Sequence, residues 1–237
     1  MSSAYCNELR LGLEQEDIDA AGDAVGSLLG YELELKDDLE RGGTFYLYEG
    51  PAGLIEVSEN LVNGKWQHEL RPELRTLVRV SLDGPHALDL GGWMARFERE
   101  CPFAAAPFAA VARPSTVTER GHIPIWGYEV DYDASGAPVP GASALACSLA
   151  FHTRLAAAQL ERSLAERFPG RIEGMSATEG TTGTLLELEF TTRDLLLPGR
   201  IWHALEGLDP EAAPVRHALS GQMRAPGQVD TLTFEAG

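Results

Sequence analysis

The chain has 237 residues, 44% of them hydrophobic, and a formal net charge of −17 from 36 acidic and 19 basic side chains. That hydrophobic share excludes a chain that is mainly disordered, and no apolar run reaches the roughly 20 residues a membrane-crossing helix needs. So acidic a chain repels phosphate backbones, which argues against general nucleic-acid binding.

Asn7 to Leu13 alternates, with Leu9, Leu11 and Leu13 on one side, which is the period of a strand. Glu14 to Gly30 predicts a helix: Ile18, Ala21, Val25 and Leu28 share a face, and Gly30 is a natural stop. Tyr31 to Lys36 alternates again, and strands are expected over Thr44–Tyr48, Leu54–Val57 and Arg75–Leu82. Leu88 to Glu100 predicts a second helix carrying Trp93 and Phe97, ended by Pro102. Residues 102 to 143 are rich in proline and yield one clear strand, Trp126–Tyr132. Within them, 134–143 is Gly/Pro/Ser-rich and reads as a linker. The second half predicts strand Leu145–Phe151, helix Arg154–Phe168, strands Arg171–Ala177 and Thr184–Phe190, helix Leu196–Leu208, then strands Val215–Met223 and Val229–Phe234.

Both halves thus run strand, helix, strand, strand, helix, then extended segments, the βαββαβ order of the ferredoxin-like motif. The expected fold is α+β with antiparallel sheets and helices on one face: an acidic half over 1–133 with extra strands, a linker over 134–143 and a second half over 144–237. The echo between Leu88-Asp-Leu-Gly-Gly-Trp93 and Leu195-Leu-Leu-Pro-Gly-Arg-Ile-Trp202 suggests internal duplication.

Signals for chemistry are sparse. His68, His86, His122, His152, His203 and His217 are scattered, with no helical i, i+4 pair, so no metal site is expected. Cys6, Cys101 and Cys147 are far apart. Cys147 reads as core, and three unpaired cysteines with no secretory-type N-terminus fit a reducing cytoplasm. Gly180-Thr-Thr-Gly183 joins two strands rather than entering a helix, so it reads as a hairpin turn and not a phosphate cradle. Asp131 and Asp133 end a strand and read as a solvated edge. No nucleophile elbow occurs, and neither a catalytic residue nor a cofactor is expected. Only Lys36 and Lys65 are lysines, a bias expected of a GC-rich bacterial genome.

The strongest signal is where the charge lies. Residues 1–60 hold fourteen acidic and three basic side chains, a net of −11 out of −17. Glu14, Glu16, Asp17, Asp19 and Asp23 are expected on the first helix, and Glu32, Glu34, Asp37 and Asp38 on the following strand and its turn. Like charges so concentrated oppose folding, and a basic protein partner docking there relieves the repulsion and is steered in by it.

The opening Glu8-Leu-Arg-Leu-Gly-Leu13, the acidic helix and Tyr31-Glu-Leu-Glu-Leu35 resemble bacterial immunity proteins of polymorphic or contact-dependent toxin systems. The resemblance covers about the first 100 residues. It implies a small cytoplasmic α+β protein without catalytic motifs, whose partner is a toxin domain, and it carries no site residue across. Two other readings stay open. One is a small-molecule binder or enzyme with a pocket between the halves, lined by Trp66, Trp93, Trp126 and Trp202. The other is an assembly subunit that pairs exposed sheet edges. The sequence leaves the oligomeric state open.

Overall fold

The structure, a computed structural model, describes residues 7–38, 43–62, 65–68, 71–82, 88–112, 115–118, 121–124, 128–140, 144–181, 183–222 and 229–235. The first half comprises β1 (Asn7–Leu13), α1 (Ile18–Leu29), β2 (Glu34–Asp38), β3 (Gly43–Gly50), β4 (Gly53–Glu59), β5 (Leu61–Val62), β6 (Lys65–Trp66) and β7 (Thr76–Leu82). It continues with α2 (Leu88–Glu100), β8 (Ala105–Ala112), β9 (Ser115–Thr118), β10 (Gly121–Pro124) and β11 (Tyr128–Asp131). The second comprises β12 (Leu145–Thr153), α3 (Ala157–Arg167), β13 (Gly174–Gly180), β14 (Gly183–Thr192), α4 (Leu197–Leu208), β15 (Ala213–Gln222) and β16 (Val229–Glu235).

These strands form a seven-stranded sheet, β11-β8-β1-β7-β4-β3-β2, and a five-stranded sheet, β13-β14-β12-β15-β16. Every pairing in both is antiparallel. β5–β6 and β9–β10 are two-stranded hairpins outside them. The fold is therefore mixed α+β, with helices packed against antiparallel sheets.

The alternation of β1 buries Leu9, Leu11 and Leu13 completely, and Ala21, Val25 and Leu28 of α1 meet the same core. One hydrophobic cluster runs through both halves without a break. Its middle is the contact of α2 with α4. The two helices approach so closely at Gly91 that a Cβ there would lie 2.1 Å from the Leu196 carbonyl oxygen. Trp202 of α4 stacks on Phe151 of β12, ring centroids 5.1 Å apart. Polar ties close the rim. Arg200 pairs with Glu98 at 2.6 Å, an Arg99 guanidinium nitrogen lies 2.6 Å from His203 Nε2, and the Tyr132 hydroxyl donates to Asp194 at 3.0 Å.

The two sheets follow one order from the strand that opens each half. β1 lies between β7 and β8, with β4 beyond β7 and β11 beyond β8. β12 lies between β14 and β15, with β13 and β16 beyond them. The register slips at matching places. Leu11 faces Pro107 where Arg10 faces Ala109, leaving Phe108 as the extra residue of a bulge, and Phe151 faces Pro214 where Ala150 faces Arg216. The first sheet alone extends outward through β3 and β2.

Several expectations shift. The first helix starts at Ile18, not Glu14, because the Asp17 carboxylate accepts from the backbone N–H groups of Asp19 and Ala20 and so ends the helix as its N-cap. Residues 14–16 stay extended, with Glu14 N–H held by the Ala104 carbonyl. The strand expected from Tyr31 starts at Glu34. Gly30 caps α1 at φ 80° and Tyr31 N–H still returns to the Gly26 carbonyl, so residues 31–33 serve to leave the helix. Later elements are shorter too: α3 starts at Ala157 and β13 at Gly174. The proline-rich stretch hides β8, an interior strand of the sheet whose Ala109, Ala110 and Ala112 are buried beside β1. Pro107 fits there because it falls at the bulge. Part of the expected linker is a tight turn: Asp133 accepts from Ser135 N–H, Ser135 Oγ and Ala137 N–H, and Tyr132 bridges Pro138.

Candidate docking face

β2 is the outermost strand of the first sheet, and no strand among the described residues pairs with its outer side. Leu35 pairs in register with Tyr46 of β3, whose ring covers Gly22 of α1, so Leu35 and Asp37 lie on the helix side of the sheet. Glu34, Lys36 and Asp38 lie on the other side. Leu35 is 56% exposed, an apolar side chain in the middle of an acidic strand.

Carboxylates flank this edge on both faces. On the helix side Asp19 and Asp23 stand exposed on α1. Asp19 accepts from the Tyr46 hydroxyl at 2.9 Å. That hydrogen bond, then burial, then the charges of Asp19, Asp23 and Asp17 push the Tyr46 phenol above its usual pKa, the signature of a negative local field. Glu34 and Glu49 face the other side and, with Glu32, Lys36, Leu47 and Tyr48, line a groove of about 460 Å³, while Glu32 also lines a groove with Asp23 and Tyr46. Lys36 pairs with Glu34 and holds its carboxyl below the usual range.

Of the nine predicted contact residues, Glu14, Glu16, Asp17, Asp19, Asp23, Glu32, Glu34 and Asp37 are exposed, while Asp38 is half-buried. Glu14, Glu16 and Asp17 do not stand on the helix as expected, and Glu32 precedes β2 rather than belonging to it. Asp17 is occupied as the N-cap and Glu16 lies 3.4 Å from Arg75. What the structure gathers around the β2 edge is therefore Asp19, Asp23, Glu32, Glu34 and Asp37, with Glu49 added. Glu49 was missed because its role depends on β3 lying beside β2, a pairing that strand alternation does not reveal.

Several of the other singled-out residues have structural roles. Cys147 is buried, which pushes its thiol up to about 12 and leaves it unreactive; burial raises Cys101 as well. Gly180 pairs with Gly183 across a hairpin, as expected of that turn. Trp93 and Trp202 pack against the core, and Arg75 sits over the Trp66 ring at 5.3 Å. Cys6, His86 and Trp126 lie outside the described residues, and nothing is described of the side chains of His122 and His217. Among the described residues no three His, Cys, Asp or Glu side chains converge as a metal would require. Glu8 is a buried carboxylate: burial pushes its pKa up, but Arg79 and Arg10 outweigh that and hold it below the usual range.

No protein-family model matches the chain, and no curated protein matches it significantly.

Proposed function

We propose that this is a non-enzymatic binding protein whose acidic β2 edge docks an extended, basic segment of a protein partner. The form of that role nearest the sequence resemblance is an immunity-type inhibitor that covers the cationic site of a toxin domain in the cytoplasm. One observation carries the reading: an edge strand, with no strand among the described residues on its outer side, presents an exposed leucine between carboxylates on both of its faces. β2 is short and carries four charged side chains, which guard an edge against self-pairing and admit a strand of opposite charge. A partner strand alternating cationic and apolar residues supplies main-chain hydrogen bonds to β2, an apolar contact for Leu35 and charges for the flanking carboxylates.

We also infer that the two halves are ferredoxin-like copies of one ancestral unit. The shared strand order and the two bulges beside Pro107 and Pro214 support this. On that reading β2 and β3 are the addition that distinguishes the first copy, and the acidic edge lies on the addition.

Charge reversal of Asp19, Asp23 and Glu34 to Lys tests the docking. All three are exposed, so the fold should survive, and association with the protein retained by the immobilised chain at low salt should slow by about tenfold or more. For the unaltered chain the rate should also fall steeply with salt, which screens over about 8 Å at physiological ionic strength. An association rate indifferent to salt and to the triple reversal would leave the acidic edge as solvated surface.

A further inference from the structure

The loop joining β4 to β7 folds back over the first sheet on the face opposite the helices. Leu74 lies directly on Gly12, where a Cβ would come within 2.6 Å of the leucine side chain. Asn60, wholly buried, ties the loop together. Its side-chain nitrogen donates to the Arg71 carbonyl at 3.1 Å and the Leu74 carbonyl at 2.6 Å, and its oxygen accepts from His68 N–H at 2.8 Å. Arg71 then bridges to the far edge of the sheet, donating from Nη1 to the Asp133 carbonyl at 3.0 Å and from Nε to Glu73.

Between this loop and the β8–β11 edge lies a cleft of about 470 Å³, within the range of small-molecule sites. Its lining includes His68, Arg71, Phe108, Asp131, Tyr132 and Val139. Three polar groups in it keep bonding capacity for a ligand. The Nδ1 atom of His68 is buried without a hydrogen bond. Arg71 is 5% exposed, yet no acceptor among the described residues takes its Nη2. Asp131 is exposed and makes no ion pair among the described residues. A buried donor or acceptor left unpaired is costly, so the His68 Nδ1 atom in particular calls for an explanation. The apolar wall is equally specific. Phe108 is the bulge residue of β8, turned so that its ring meets His68 at 4.6 Å, and Val139 is 38% exposed. Bulges re-aim side chains in this way beside binding sites.

We propose that this cleft binds a free α-amino acid with an apolar side chain. Arg71 Nη2 and His68 Nδ1 take the carboxylate, in the manner of guanidinium–carboxylate recognition. Asp131 takes the ammonium group. Phe108 and Val139 cover the side chain. The site lies at the β11 end of the sheet, the acidic edge at the β2 end, so the two stand or fall separately.

Calorimetric titration of the full chain with phenylalanine tests this. Binding should be measurable below about 10 mM, and phenylacetate, phenethylamine and phenylalanine methyl ester should each bind about tenfold more weakly or not at all. Arg71→Met should abolish binding. Because Arg71 also braces the loop, Asp131→Asn serves as the variant that leaves the fold intact, and it should weaken phenylalanine about tenfold. No heat with phenylalanine or with leucine, phenylacetate binding as tightly as phenylalanine, or unchanged binding in Asp131→Asn overturns the proposal.

Discussion

Replacing Gly91 with alanine should lower the thermal midpoint by roughly 6–12 °C, while the same change at Gly92 should raise it by about 2–4 °C. The two glycines are neighbours on α2 but face different surroundings. A Cβ at Gly91 would sit 2.1 Å from the Leu196 carbonyl oxygen, 2.6 Å from Arg200 N and 2.7 Å from Gly199 Cα. All three are backbone atoms of the α4 segment, so no side chain can swing aside. α4 has to move off α2, opening the core that the halves share. Overpacking of this kind costs about 3 kcal/mol at the upper end of its usual range, and each kcal/mol shifts the midpoint of a chain this long by about 2–4 °C. At Gly92 nothing lies within 4 Å. There the substitution only removes glycine's penalty in a helix interior, about 1 kcal/mol. Thermal melts by circular dichroism read both. If Gly91→Ala melts with the unaltered chain, the α2–α4 contact is not as close as described.

Asn60→Ala should destabilise the chain by roughly 3–5 kcal/mol, read as a lower urea midpoint with an unchanged slope. The side chain is fully buried and satisfies two carbonyls and one N–H of the same loop. The Arg71 carbonyl keeps the Leu74 N–H, but truncation leaves the Leu74 carbonyl and His68 N–H without partners, and each such group costs about 1–3 kcal/mol when water cannot reach it. Asn60→Asp is the sharper probe. The carboxylate still accepts from His68 N–H but donates nothing to Arg71 and Leu74, so it should not rescue stability. An Asn60→Asp variant as stable as the original chain would mean that the Leu74 carbonyl is paired elsewhere.

The elements that packing confirms were the ones with an unambiguous period. α2 spans Leu88–Glu100 as expected because Leu90, Met94 and Phe97 recur at helical spacing, and β1 follows from three alternating leucines. Boundaries moved where a side chain competes for the backbone, as the Asp17 cap does at the start of α1. β8 escaped notice for a different reason. Alanines and a proline carry little strand signal, and their place beside β1 is earned by small size in a crowded centre. The acidic edge was half legible. Composition located the charge, but only the order of strands makes β2 an edge and sets Asp19 and Asp23 on one side of it and Glu34 on the other. The Arg71 cleft was not legible at all. His68, Arg71 and Asp131 are more than sixty residues apart at the extremes, and only the loop's course over Gly12 brings them together.

The docking claim is tested most directly by residue-resolved hydrogen exchange with an eight-residue peptide alternating lysine and valine. A strand added at the edge should slow exchange of amides in Glu34–Asp38, with a glutamate–valine peptide of equal length having no effect. Protection should be confined to β2 and lost on reversing Asp19, Asp23 and Glu34 to Lys. Protection that appears instead along β13, the exposed edge of the second sheet, or that the acidic peptide reproduces, would contradict the docking claim.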